Sequence, residues 1–257
     1  RGAGGGPPPP SAPPQPTRTP DTLHSRQFAT LLDLISEGEI EGFATASKAG
    51  LTKGTTAYNN AALKDVFLNN TAILQSSASN TSPVSTDFNF QDVSFTPRFG
   101  TSNQEHISGI ESSQSINPVG VTVTNSTPVT RTISNSDVDA VKVTVTFPQI
   151  QVATNAGDLL GSSVNLQIQI QYNGGGFTTL IDDTVTGRTA DAYQKEYRVN
   201  LTGSFPVDVK VVRVTADATS ASTVNTFQFT SFTEIIDDKQ TYLNSAYTSL
   251  RLDSQQF

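Results

Sequence analysis

The sequence predicts an all-β, mainly antiparallel fold, and three observations carry that prediction. Ser and Thr number 27 and 35 of 257 residues, while charged residues make up only 15%. A β-branched residue fits a pleated surface and loses rotamer freedom in a helix. From about residue 87 onward, apolar and polar residues alternate in run after run, as in strands with one buried and one wet face. Turn-forming Gly, Asn and Pro separate those runs roughly every ten to fifteen residues, the spacing of a sandwich or barrel.

Residues 1–20 stand apart, because they hold eight of the 14 prolines behind a Gly-rich start. Such a segment forms neither ladder nor helix and favours polyproline II. A disordered linker is the plainer reading of this composition. The sharper one is an extended arm lying on a neighbouring subunit. Its contact residues would be Pro7, Pro8, Pro9, Pro10, Pro13 and Pro14, with Arg18 as a salt-bridge donor at the margin of the groove.

Residues 21–43 read as a short mixed element. Phe28, Leu31, Leu32 and Ile35 fall at i, i+3, i+4 and i+7 and predict one short helix near the N-terminus. Residues 44–62 are small and polar and read as a loop, Leu63–Leu68 as a strand, and Asn69-Asn70-Thr71 as a turn. Residues 75–86 are a Ser/Asn/Thr loop. Phe88, Phe90, Val93 and Phe95 then nearly alternate, and clean alternation follows in Val119–Val123, Val141–Phe147 and Leu166–Ile170. Asn173-Gly174-Gly175-Gly176 predicts a tight hairpin turn into Phe177–Ile181. Further strands are expected at Tyr193–Leu201, Val207–Val214 and Phe227–Ile236.

Composition excludes several classes of function. Without cysteine there is no disulfide scaffold, thiolate metal site, iron–sulfur cluster or cysteine nucleophile. A formal net charge of −7 argues against electrostatic binding of nucleic acid. No run approaches the ~18 apolar residues of a membrane span, and no signal peptide is legible. The chain starts at Arg1 and contains no Met, so the expectation is a processed chain or a part of a longer one.

Candidate catalytic and ligand groups are weak. His24 and His106 have no third partner at metal or triad spacing and read as loop residues. Neighbours in a strand point to opposite faces, so Asp182-Asp183 and Asp237-Asp238 cannot pair as acid and base there. Asp137 and Asp139 share a face and offer calcium-type oxygens, but a solvated start of a strand explains them as well. The Asn173–Gly176 run joins strand to strand, whereas a phosphate cradle needs a helix N-terminus behind it. Glu37 and Glu39 have no apolar pocket in view. The residues therefore predict no enzyme, no cofactor and no metal.

Five short motifs occur in order. They are Ile35-Ser36-Glu37-Gly38 with Ile40-Glu41-Gly42; Leu63-Lys64 with Val66 and Leu68-Asn69; Thr127–Ile133; Thr233-Glu234-Ile235-Ile236-Asp237 with Lys239-Gln240; and Asp253-Ser254 with Gln256-Phe257. Together they resemble the tail tip, or host specificity, protein J family of lambda-like long-tailed phages, over about residues 21–257. The resemblance implies the N-terminal portion of a longer virion protein at the distal end of the tail, with a role in host attachment and genome ejection. It implies a partial hub β-barrel domain from 21–74 plus 233–257, continuing beyond 257, with a β-sandwich-like domain inserted at 75–232.

The partners implied are two further copies in a homotrimer around the tail axis, distal tail and tail tip ring proteins, and the tape measure protein in the lumen. The downstream receptor-binding region of the same chain would complete the set. Two other readings stay open on the residues alone: a secreted or surface β-sandwich that binds carbohydrate, with Tyr172 and Phe177 as candidate stacking residues, and the hub part of a larger cell-wall hydrolase.

Overall fold

The structure, a computed structural model, describes residues 15–26 and 28–253. Its strands in the first part are β1 (Phe28–Glu37), β2 (Phe67–Leu68), β3 (Thr71–Ala72) and β4 (Ser94–Phe99), with helices α1 (Ala44–Lys48) and α2 (Thr56–Ala62) between β1 and β2. Then follow β5 (Glu111–Thr122), β6 (Val129–Ile133), β7 (Ala140–Phe147), β8 (Gln151–Ala153), β9 (Leu159–Leu160) and β10 (Ser162–Tyr172). The last are β11 (Thr178–Gly187), β12 (Tyr193–Asn200), β13 (Val207–Arg213), β14 (Thr223–Val224), β15 (Gln228–Asp237) and β16 (Ser245–Asp253). The predicted all-β, antiparallel class holds. No sheet among the described residues closes into a barrel.

Two four-stranded antiparallel sheets form a sandwich, in the orders β11-β10-β13-β6 and β12-β7-β15-β5. The alternation read from the sequence determines which residues meet between them. Val141, Val143, Val145 and Phe147 of one sheet join Leu166, Ile168, Ile170, Val207, Val209 and Val211 of the other in a single buried cluster. Between β10 and β11, Asn173 and Gly174 take φ values of 45° and 72°. Two successive left-handed residues match the twist of a two-stranded ribbon, which is why Asn-Gly serves at this turn.

Two charged groups, one buried and one half-buried, close open sides of the sandwich through hydrogen bonds. Arg213 continues the inward row of β13 at one end. Its guanidinium donates to the Asn225 carbonyl at 2.7 Å, the Asn225 side chain at 2.9 Å and the Thr215 carbonyl at 3.0 Å. Burial pushes its pKa below the ordinary arginine value, and Asp217 opposes that shift.

The second group closes the seam between the edge strands β11 and β12. Asp183 accepts from Lys195 Nζ at 2.6 Å and from the Tyr197 hydroxyl at 2.5 Å. Burial opposes the charge on Asp183, but these two donors outweigh it and hold its carboxyl below the usual aspartate value. Burial, and then Asp183, push the Tyr197 hydroxyl well above the ordinary tyrosine value, so it remains a donor.

A second, smaller core gathers Ala46, Tyr58, Ala61, Ala62, Leu63, Ile73, Leu74, Phe95, Leu250 and Leu252. Over it lies the three-stranded sheet β1-β16-β4. Several local expectations are corrected here. Phe28–Ile35 is strand, not helix, because β16 offers a full antiparallel partner, from Phe28↔Asp253 to Glu37↔Ser245.

The short helical element near the N-terminus falls instead in the predicted loop 44–62, as α1 and α2. Small residues let these helices pack closely on the core, and the Thr55 side chain caps α2 by accepting from the Tyr58 amide at 3.2 Å. Of the predicted strand Leu63–Leu68 only Phe67–Leu68 is extended, since Leu63 ends α2 as its C-cap. Phe88 and Phe90 pack on the small core ahead of β4 rather than within a strand.

Two predictions follow from the packing. Phe227 is fully buried against Phe147, with ring centroids 5.3 Å apart. Phe227→Ala should cost about 3–5 kcal/mol, read as a lower denaturant midpoint at unchanged m-value, and a loss below about 1 kcal/mol would refute this placement. The Asp183 clasp should be pH-dependent. A depressed folded-state pKa adds stability above the unfolded value of 3.8 and loses it as pH falls through the folded one. Asp183→Asn should therefore cost about 1–3 kcal/mol at pH 7, and the gap from wild type should close below pH 3.8. A gap that stays constant down to pH 2 would contradict the clasp.

Candidate assembly surface

Strand β1 presents what the rest of the fold hides. Phe28, Leu31, Leu32, Leu34 and Ile35 are all exposed, Leu34 at 66%. Residues directly opposite in a ladder share a face. Leu31, opposite Leu250, therefore extends the apolar face of the small core beyond its covered strands. Leu32 and Leu34, opposite Ser249 and Tyr247, stand on the other face. Phe28 is partly covered by the Arg251 guanidinium, 3.7 Å from its ring centroid.

The same strand is also an edge of its sheet. An open edge offers unpaired backbone groups to any passing strand, and proteins usually blunt it with Pro, charge, irregularity or shortness. Here β4 carries Pro97 and Arg98, β5 carries Pro118 and Gly120, and β6 has five residues with Arg131 at its centre. In β12, Lys195, Glu196 and Arg198 supply charge, and β11 carries Asp182 and Asp183 and a register shift against β10. In β1 the charges are Asp33 and Glu37, there is no Pro or basic residue, and Phe28–Leu34 runs in unbroken register before a bulge. A strand apolar on both faces and open at its edge is suited to burial against another polypeptide.

The residues predicted from sequence fall elsewhere. Pro7, Pro8, Pro9, Pro10, Pro13 and Pro14 lie outside the described residues. Arg18 is described, is exposed, and forms a parallel bridge with Leu159 of its own chain. Around it the Thr19 amide donates to the Leu159 carbonyl and the Leu159 amide to the Thr17 carbonyl, both at 2.9 Å. The described end of the arm therefore lies on its own sandwich. No signal pointed to β1 as a surface, because its apolar spacing reads equally as a helical face.

Several of the other candidate carboxylates are engaged by neighbouring side chains. Asp182 accepts from Asn165 and Gln167 on the outer face, opposite in direction to Asp183. Asp237 takes two bonds from Arg198, which also donates to Glu111 at 3.0 Å. Glu111 and Asp237 face each other across β5 and β15, so Arg198 offsets a like-charge pair. Asp139 is opposed by burial, yet Lys239 at 2.7 Å and the Asp237 amide hold its carboxyl below the usual value.

His24 is exposed and His106 is part-buried. Among the described residues no group of three or more His, Asp or Glu is placed to hold a metal, and no helix is long and apolar enough to cross a membrane. Neither candidate stacking residue is a free platform. Lys210 Nζ covers the Phe177 ring at 3.7 Å, and Gly203 lies so close to the Tyr172 ring that a Cβ there would fall 2.4 Å from it.

The family model described as tip attachment protein J, FNIII-A domain, matches residues 113–238, which span most of the sandwich. The chain is 31% identical over 244 residues to tip attachment protein J of Escherichia phage SECphi4, covering 94% of this chain and 20% of that protein. It is 24% identical over 196 residues to the protein of the same name in Escherichia phage SECphi27, covering 76% of this chain and 16% of that one. The chain thus spans about a fifth of the length of these curated relatives. A solved structure described as "CBM4 structure and function" aligns over 52% of this chain and 74% of its own, at 11% identity and a TM-score of 0.21. The resemblance to the tail tip protein J family is borne out.

Proposed function

We propose that this chain, which carries the FNIII-A domain of tip attachment protein J in its residues 113–238, is a structural subunit of a phage tail tip at the distal end of the virion. It assembles as a homotrimer around the tail axis and is not an enzyme. The carrying observation is β1, whose apolar residues and open edge suit permanent burial in an assembly. In this reading a hub domain built from 21–74 and 233–257 supplies β1, β16 and much of the small core, and β4 and other residues of 75–107 join it. The sandwich is the domain inserted into it, expected at 75–232, with β5 starting at Glu111 and β15 running on to Asp237.

Distal tail and tail tip ring proteins contact the hub from above. The tape measure protein, and then the genome, pass through its lumen, and the receptor-binding region follows in the same polypeptide. The Pro-rich arm, with Pro7, Pro8, Pro9, Pro10, Pro13 and Pro14, docks on a neighbouring subunit beyond the point where Arg18 meets Leu159. Prolines fix φ in advance, which lowers the ordering cost of such docking.

The test uses the full-length protein. Leu31→Lys with Leu34→Lys changes one exposed residue on each face of β1 and leaves the covered residues untouched. Burial of each leucine is worth about 1.5–3 kcal/mol, so trimer formation should weaken at least roughly a hundredfold. Sedimentation or light scattering should show monomer, with the circular dichroism spectrum unchanged. A trimer of wild-type affinity would remove β1 from the interface.

A further inference from the structure

The sandwich and the small core are separate bodies. Strands β5–β15 pair only among themselves, and so do β1–β4 and β16. Their buried clusters share no residue. The chain crosses between them at 108–110 and at 238–241, and these crossings lie side by side, joined by the bond from the Asp238 amide to the Ile110 carbonyl at 2.7 Å. Two adjacent crossings leave rotation about their common line free.

A third connection lies away from that neck. Residues 15–26 run along the sandwich and then onto the small core. Thr17 is fastened to Asp158, its hydroxyl donating at 2.6 Å. Arg188, only 2% exposed, donates to the Thr19 carbonyl at 2.9 Å and pairs with Asp21. Thr22 is bonded in both directions to the Arg188 backbone: its amide donates to the Arg188 carbonyl at 2.9 Å, and its hydroxyl accepts from the Arg188 amide at 3.1 Å. Leu23 packs against the sandwich core, and Ser25 Oγ accepts from the Gln194 amide at 3.2 Å.

The next residue changes bodies. Arg26 pairs with Asp92 at 2.5 Å and with the fully buried Asp253 at 2.6 Å, both on the small-core side. Gln194 and Arg198 mark the two attachment points on β12, the strap at one and the neck salt bridges at the other. They are four residues apart, about 13 Å along a strand.

We propose that residues 15–26 are a strap that sets the angle between the sandwich and the small core, turning a hinge into a fixed joint. The strap leads directly into β1, so whatever holds β1 also holds the sandwich in position. This inference rests on contacts within one chain and stands whether or not β1 is the trimer interface.

The absence of native cysteine makes the test direct. Spin labels on Ser82→Cys of the small-core side and Thr178→Cys of the sandwich, both exposed positions, report the distance between the bodies in the intact chain. An insertion of about eight Gly/Ser residues between Ser25 and Arg26 keeps every contact and slackens the tie. The distance distribution should broaden by about twofold or more, while the thermal unfolding of each body is unchanged. A second chain lacking residues 1–14 keeps the whole strap and should retain the narrow wild-type distribution. Unchanged width in the insertion variant would overturn the proposal, and so would broadening in the chain lacking 1–14.

Discussion

The antiparallel pairing of β1 with β16 is the constraint on which the arrangement rests. It brings the first strand of the described chain against the last, from Phe28↔Asp253 to Glu37↔Ser245. With β4 on its other side, β16 is buried on both faces and has no free edge, which leaves β1 and β4 as the borders of the sheet. Everything between β4 and β16 must then leave the sheet and return to it, and the sandwich is that excursion. The same pairing exposes β1, because a strand added at a border gains a ladder on one side and nothing on the other.

The sandwich satisfies a different requirement. A double layer of β-branched residues can be stable without a cofactor or a disulfide, provided that its open sides are closed. One end is closed by Arg213 with Asn225, and the seam between β11 and β12 by Asp183 with Lys195 and Tyr197. On the outer face near the neck, Arg198 joins Glu111 to Asp237, where the chain enters and leaves the domain. Buried or half-buried charge thus sits at borders, where partners from two strands or two sheets can reach it. The interior carries Val, Ile, Leu and Phe.

Much of this was legible from residues alone where the signal is local. Period-two alternation located β7, β10, β12, β13 and β15, and Asn173-Gly174 marked the hairpin, since both signals depend only on neighbours in the chain. The failures share a cause. Phe28, Leu31, Leu32 and Ile35 fit a helical face, but Leu34 fits none of that face, and only the presence of β16 favours the strand. The Ala-rich segments at 44–48 and 56–62 looked too polar for helix until Tyr58, Ala61 and Ala62 found a core to pack against. Of the predicted arm only residues 15–20 are described, and they lie on their own subunit through Thr17 and Thr19.

The sequence by itself determined the all-β class, the inward rows of the sandwich, the absence of cysteine chemistry and the resemblance to tail tip protein J. Each of these is written in composition, in period or in short ordered motifs. Only the tertiary structure decided that β1 is an open apolar border, that Asp183 is clasped by Lys195 and Tyr197 and Asp237 by Arg198, and that residues 15–26 tie two bodies together. Those facts depend on which distant strand stands beside which, and such pairing is chosen by the whole set of competing ladders and cores, not by any residue's neighbours in the chain.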